Sequence, residues 1–315
     1  MNKFVFTYLV KQDEKTWFDL TNSLYLLNKL ILLKLKCSYK VLIFCEGPPS
    51  EKAGKLINFL LKKNINIKLK EISLKKYVKR DSSKDYISDF PHSSDCTKNF
   101  SLGYRDMCKF FAIDIFNDIE LSDSEYYVRL DTDSFFLDVK DKFIKNIQNI
   151  KEDYGYINTS IQKEDKSVSL GFGNCLYEFC RGSESIKKIS KNYLEICQEA
   201  SKKPKIFYTN FEIIKLEWIK SDIYFKLLEH IVNSEGIYRF RWGDALIRYY
   251  SIKLIGADIL PLKGCLYKHN KVFDSRIFHK RISSIIYSKI KHKFKNDSFE
   301  IRPSWMDRFF LSIKG

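Results

Sequence analysis

The chain has 315 residues, 44% of them hydrophobic and 30% charged, with a formal net charge of +16. That apolar share excludes a disordered chain, and 12 Gly with 6 Pro exclude collagen-like and low-complexity classes. The charge favours anionic partners such as phosphorylated small molecules, anionic lipid or nucleic acid, although a compositional bias toward Lys, Ile, Asn, Phe and Tyr accounts for part of it.

Residues 4–10 (FVFTYLV) read as an opening strand, since the N-terminus lacks the apolar core and cleavage site of a signal peptide. A helix follows from about residue 16, with Trp17, Leu20, Leu24, Leu27 and Ile31 stepping by three and four along one face. Residues 39–45 (YKVLIFC) form a buried strand closed by a turn at Gly47, Pro48 and Pro49. Residues 53–62 then read as a helix and 65–72 as a third strand. This alternation argues for βαβ units on a sheet covered on both faces.

Residues 73–100 are polar and irregular, a surface excursion of a length more often functional than idle. Helical spacing returns at Tyr104, Cys108, Phe111 and Ile115, and residues 126–130 (YYVRL) form a buried strand running straight into Asp131, Thr132 and Asp133. Residues 154–159 and 167–176 read as strands, 183–199 as a helix, and 206–214 as extended chain. Ser221 and Asp222 cap a helix ending near Gly236, and Asp244 caps another ending at Gly256. Residues 259–268 close with a strand that delivers His269.

No apolar run approaches the roughly 18 residues of a membrane span. The eight cysteines contain no CxxC pair, so neither a zinc ribbon nor a redox motif is indicated, and the expectation is reduced thiols in the cytoplasm. Residues 276–295 hold seven Lys/Arg and no acid, interleaved with Ile282, Ile285, Ile286 and Ile290. Such a stretch either lies on an anionic membrane or packs its apolar stripe back onto the domain.

The strongest local chemical signal is Asp131 with Asp133 at the end of an apolar strand. Ligands gather outside the carboxyl ends of strands in α/β sheets, and paired carboxylates there suit Mg²⁺ or Mn²⁺ bridging to phosphates. A solvated acidic turn is the plainer alternative. His269 as a third ligand would tilt the site toward Mn²⁺. Glu212, in the apolar stretch YTNFEI, is either a catalytic group of raised pKa or a carboxylate paired with a basic residue. Arg129 and Arg241 can serve phosphates or make ordinary ion pairs.

Taken in order, residues 103–110 (GYRDMCKF), 125–133 (EYYVRLDTD), 208–213 (YTNFEI) and 238–245 (YRFRWGDA), then His269, resemble glycosyltransferase family 15, the fungal-type α-1,2-mannosyltransferases. The resemblance covers roughly residues 3–270, with NFEI and RWGDA together its most specific part. It implies an α/β fold of GT-A type, with a mixed, mostly parallel central sheet flanked by helices. Residues 1–270 would form the catalytic domain and 271–315 a basic tail. It further implies GDP-mannose as donor, Mn²⁺ (or Mg²⁺), and transfer with retention to a mannoside or other hydroxyl of a glycan or lipid-linked glycan.

Position by position, Asp131, Asp133 and His269 fall on the family's metal ligands. Tyr104 and Arg105 fall in the segment beside the donor phosphates, where Arg241 is a further donor-binding candidate. Glu212 matches the family's nucleophile or cation-stabilising carboxylate, and Asp244 the acid facing donor and acceptor sugars. Covalent and same-face routes both stay open. Where the family has Glu-Pro-Asp this chain has Asp-Thr-Asp, so a UDP-sugar donor is the second reading. A non-enzymatic binder of anionic lipid or nucleic acid is the third, but no RNP-like, helix-turn-helix or zinc-finger signature supports nucleic acid. With no anchor ahead of residue 1, the expectation is a cytoplasmic enzyme, peripheral on the inner membrane face through residues 276–295.

Overall fold

Strand β1 (Asn2–Val10) sends Phe4, Phe6, Tyr8 and Val10 into one apolar cluster and Val5 into another. Strand β2 (Tyr39–Glu46) divides in the same way, Val41, Ile43 and Cys45 against Leu42 and Phe44. A strand's two-residue period can feed two cores only if helices cover both faces of its sheet. The structure is a computed structural model describing residues 2–47, 66–74, 101–157 and 161–269. The helix expected at 53–62, most of the excursion at 73–100 and the basic segment 276–295 lie outside the described residues.

The sheet is completed by β3 (Ile67–Ile72), β4 (Ser124–Leu130), β6 (Tyr154–Ile157), β9 (Phe211–Lys215) and β10 (Ile259–Leu262), in the order β10-β6-β9-β4-β1-β2-β3. All neighbours are parallel except those of β9, which runs antiparallel to both β4 and β6. This is the mixed, mostly parallel sheet that the family resemblance implied. Two antiparallel pairs stand apart: β5 (Ser134–Val139) with β11 (Cys265–His269), and β7 (Ile161–Lys163) with β8 (Lys205–Phe207).

One face is covered by α1 (Glu14–Leu30) and α3 (Asp141–Gln148). Asp13 starts α1, its carboxylate accepting from the Thr16 amide at 2.8 Å, and Trp17, Leu20, Leu24 and Leu27 are the buried stripe. The other face carries α2 (Leu102–Ala112), α4 (Phe172–Gly182), α6 (Tyr193–Lys202), α8 (Asp222–Asn233) and α10 (Asp244–Ile255). Two short helices, α5 (Glu184–Ile189) and α9 (Gly236–Phe240), link them, and α7 (Leu216–Ile219) follows β9. Among the described residues, no helix is long and apolar enough to cross a membrane.

Several sequence expectations need correction. Residues 167–176 are not a strand: they form a short 3-10 turn (Lys166–Ser169) and the start of α4. Gly171 makes the break in the left-handed region (φ 75°), and Phe172, Cys175, Leu176 and Cys180 then bury at helical spacing. A Cβ at Gly173 would stand 2.4 Å from the Cys197 carbonyl, so the glycine in that segment serves close helix packing rather than a strand. The helix expected over 183–199 is broken into α5 and α6 around Ser190, and the extended stretch 206–214 is two strands on different sheets. The closing strand is also two, with Gly264 (φ 99°) turning the chain from β10 into β11.

Candidate active site

Strand β4 ends at Leu130 and β5 begins at Ser134, so Asp131, Thr132 and Asp133 form the turn at the carboxyl edge of the sheet. The Asp131 amide donates to the Asn210 carbonyl at 3.1 Å and the Ser134 amide to the Asp131 carbonyl at 3.0 Å, which fixes the turn against the loop entering β9. Pairing of β11 with β5 places His269 opposite Ser134. His269 Nε2 thereby lies 3.0 Å from Asp133 Oδ1 and 3.5 Å from Asp131 Oδ2. One ligand atom from each of the three lies within 4.8 Å of the others, and all three side chains are part-exposed. Tyr208 holds the far side of the imidazole, its hydroxyl 3.1 Å from Nδ1. A histidine oriented through its second nitrogen is the usual support for a metal-ligating ring.

The charges of this rim are uneven. Burial alone would lower the His269 pKa, but hydrogen bonds and charge from Asp131 and Asp133 raise it to about 9. Burial would raise the Asp131 carboxyl, yet the Arg129 guanidinium and His269 hold it below the ordinary carboxylate range. Arg129 lies on β4, 3% exposed, with its guanidinium 3.6 Å over the Phe111 ring. It bridges outward to Asp131 at 3.0 Å and inward to Asp244, which also accepts from the Thr209 hydroxyl at 2.7 Å.

Asp244 therefore does not cap its helix. Gly243 is the N-cap, Asp244 is the first helical residue, and its carboxylate belongs to the Arg129 and Thr209 network. Beneath it, Glu212 on β9 sits opposite Arg129 of β4 and is fully enclosed. Its Oε2 accepts from Arg248 Nε at 3.2 Å, while Oε1 has no hydrogen-bond partner among the described residues. Burial pushes the Glu212 carboxyl up, against the opposing charges of Arg248 and Arg129.

The expected donor-side residues group around α2 and the turn before α10. Ser101 caps α2, accepting from the Tyr104 amide at 3.3 Å. Arg241 follows α9 in the left-handed region (φ 63°), with its guanidinium 5.8 Å from the Tyr104 ring centre and 3.9 Å from a Glu164 oxygen. Trp242 packs onto Gly236, where a Cβ would stand 2.2 Å from the indole, and this close approach shapes the RWG turn. Arg105 is buried rather than open, donating to the Tyr238 carbonyl. The sequence reading did not single out Arg248, Thr209 or Tyr208 as site residues. For Arg248 a signal existed: a guanidinium in a helix whose neighbours are nearly all apolar must find a buried partner.

A divalent cation fits this donor set. Two carboxylates and an oriented imidazole converge, and the carboxylates Asp131, Asp133, Asp244 and Glu212 exceed the cations Arg129, Arg248 and protonated His269 by one charge. Such an excess of negative charge in a low-dielectric setting is costly without a cation.

The sequence profile of the family described as glycolipid 2-alpha-mannosyltransferase matches residues 3–302. The probable mannosyltransferase KTR2 of Saccharomyces cerevisiae is 26% identical over 187 residues, which make up 54% of this chain and 44% of that protein. The match thus spans less than half the length of that curated relative. Among solved structures, core-mannan synthase A (CmsA/Ktr4) of Aspergillus fumigatus in its Mn/GDP form superposes with a TM-score of 0.69 at 16% identity, over 86% of this chain and 75% of that one. The mannosyltransferase Ktr4p of S. cerevisiae in complex with GDP gives 0.68 at 19% identity, over 85% and 71%. At these identities the two structures establish the shared fold, which is that of GT-A-type glycosyltransferases.

Proposed function

The chain belongs to the glycolipid 2-alpha-mannosyltransferase family, and from that premise we propose that it transfers a mannosyl group from GDP-mannose to a sugar hydroxyl, with retention of configuration. The observation that carries this reading is the convergence of Asp131, Asp133 and His269 through the β5–β11 pairing. The Mn/GDP and GDP complexes of the two structural neighbours support it. In this reading the three side chains hold a divalent cation, Mn²⁺ ahead of Mg²⁺ because of the imidazole. When bound, the ion would supply Lewis-acid neutralisation of the departing diphosphate.

The chain's own residues do the rest. Tyr104 and Arg241 bring aromatic surface and positive charge to the donor side, and Arg105, buried against the Tyr238 carbonyl, braces that wall from behind. Asp244, fixed by Arg129 and Thr209, is oriented to accept hydrogen bonds from sugar hydroxyls. Glu212 places negative charge beneath the carbon that becomes oxocarbenium-like. Because Glu212 is enclosed and half committed to Arg248, it is suited to stabilising charge rather than to attack. We therefore favour the same-face route over a covalent adduct. The C1–phosphate bond breaks, the acceptor oxygen bonds C1 on the same face, and its proton passes to the leaving phosphate oxygen.

On the acceptor side we propose a glycan or lipid-linked glycan. Peripheral contact with anionic membrane through residues 276–295 rests on their seven basic residues. Vesicle binding unchanged by deleting residues 276–315 would remove that contact.

The test of the donor is calorimetric binding of GDP, UDP and their mannose, glucose and galactose conjugates, with and without Mn²⁺. Mn²⁺-dependent binding of GDP-mannose ahead of all other conjugates is the expected result. A preference for UDP-sugars would overturn the donor, and no nucleotide binding at all would overturn the transferase reading.

A further inference from the structure

Helix α10 reads DALIRYYSIKLI, and Arg248 stands in it between residues that bury. Its side chain is 1% exposed and its guanidinium faces the Phe116 ring at 5.1 Å. A charge so placed is tolerated only with full pairing. Arg248 obtains it from three separate elements. Nε donates to Glu212 on β9 at 3.2 Å, one terminal nitrogen donates to the Phe111 carbonyl at 3.0 Å, and the other donates to the Tyr224 hydroxyl on α8. The Phe111 carbonyl lies in the last turn of α2, where helical carbonyls lack intrahelical partners. One fork therefore ties Glu212 to the C-terminal end of the helix whose first turn carries Tyr104 and Arg105.

We propose that Arg248 is a positioning residue for the transfer reaction: it locks Glu212 in place as a carboxylate whose negative charge stabilises positive charge on the sugar. The role of that charge rests on the mannosyltransferase reading, whereas the coupling of Arg248 to Glu212 does not. Besides Arg248, the groups that face Glu212 are Arg129 and Tyr127 on β4, Tyr154 on β6, Tyr224 on α8 and Asp244 at the start of α10. Arg248 is the one with a direct ion pair, and with it gone Arg129 and the Tyr154 hydroxyl are left to oppose the burial of the carboxylate. Lysine cannot replace it fully, since a single ammonium lacks the planar fork that reaches three acceptors.

The test is an infrared titration of the full chain without donor, following the carboxyl band that Glu212→Gln removes. In Arg248→Met that band should take up its proton about one to three pH units higher than in the wild type. With GDP-mannose and Mn²⁺, the acid limb of kcat should move by the same amount, while the KM for donor stays near the wild-type value. A band that titrates at the wild-type pH, or a uniform loss of kcat with the limb unmoved, would reduce Arg248 to a structural residue and overturn the proposal. If Arg248→Met does not fold, Arg248→Lys reads the same band: a smaller upward shift supports the proposal and no shift overturns it. If wild-type protein turns over no GDP-mannose, the donor assignment fails while the infrared titration still decides the coupling.

Discussion

Two layers of charge sit one above the other at the carboxyl edge of the sheet, and they are built differently. The outer layer, Asp131, Asp133 and His269, is part-exposed, and two carboxylates share one imidazole. The inner layer, Arg129, Asp244, Glu212 and Arg248, is buried, and two guanidiniums match two carboxylates. The inner layer balances its own charge, whereas the outer one is part-exposed and left with negative charge. Arg129 joins them, since it touches both Asp131 and Asp244. A rigid, neutral foundation beneath an unbalanced rim is what a site needs if it is to hold a cation without rearranging.

Breaking the joint should have the largest effect. Arg129→Met strands two carboxylates at once, and loss of one partner of a buried ion pair costs about 3–5 kcal/mol. Denaturant unfolding should register a loss of that size, and a loss below about 1 kcal/mol would mean the layers are not coupled through Arg129. Next comes the rim itself. Asp133→Asn should lower Mn²⁺ affinity by about 100-fold or more, because a ligand is lost and not merely its support. Its unfolding midpoint should stay near the wild-type value, in contrast to Arg129→Met. Equal destabilisation by both changes would erase the distinction between layers.

Tyr208→Phe removes only the hydroxyl that orients His269. A fall of about 10-fold in Mn²⁺ affinity is expected for loss of such a support, read by the same calorimetry. The smallest effect is a proton count. With its pKa raised to about 9 by the two aspartates, His269 is charged at neutral pH in the metal-free protein. The stability it contributes is complete below the unfolded value of about 6.5 and is lost as pH rises through about 9. A metal ion must displace that proton, so Mn²⁺ affinity should climb with pH over the same window. At pH 7.5 about one proton should be released per ion, read from binding enthalpies in buffers of different ionisation enthalpy. No release would place the ion away from His269.

Much of this was legible in the sequence because it is local. A strand of YYVRL running into Asp-Thr-Asp shows period, burial and chemistry within eight residues. The meeting of His269 with that turn was not legible from spacing, because it depends on β11 pairing with β5 across more than a hundred residues. Only the family resemblance pointed to it. Asp244 was misread as a cap because an acid after Trp-Gly at a helix start satisfies the local rule, yet Arg129 and Thr209 outbid the backbone for its carboxylate. Residues 167–176 were misread for the reverse reason. Their valine and phenylalanine suit a strand, but tight packing of Gly173 against α6 makes them a helix start. The apolar neighbours of Arg248 show in the sequence that it needs a buried partner, but that the partner is Glu212 depends on β9 meeting α10, which is not local.

The most direct test of the central claim, that Asp131, Asp133 and His269 together hold the metal, is pulsed electron paramagnetic resonance of Mn²⁺ bound with GDP. Nitrogen modulation from a directly coordinated imidazole should be present in the wild type and absent in His269→Ala. Bound Mn²⁺ and GDP with no such modulation in the wild type, or modulation that survives His269→Ala, would contradict it.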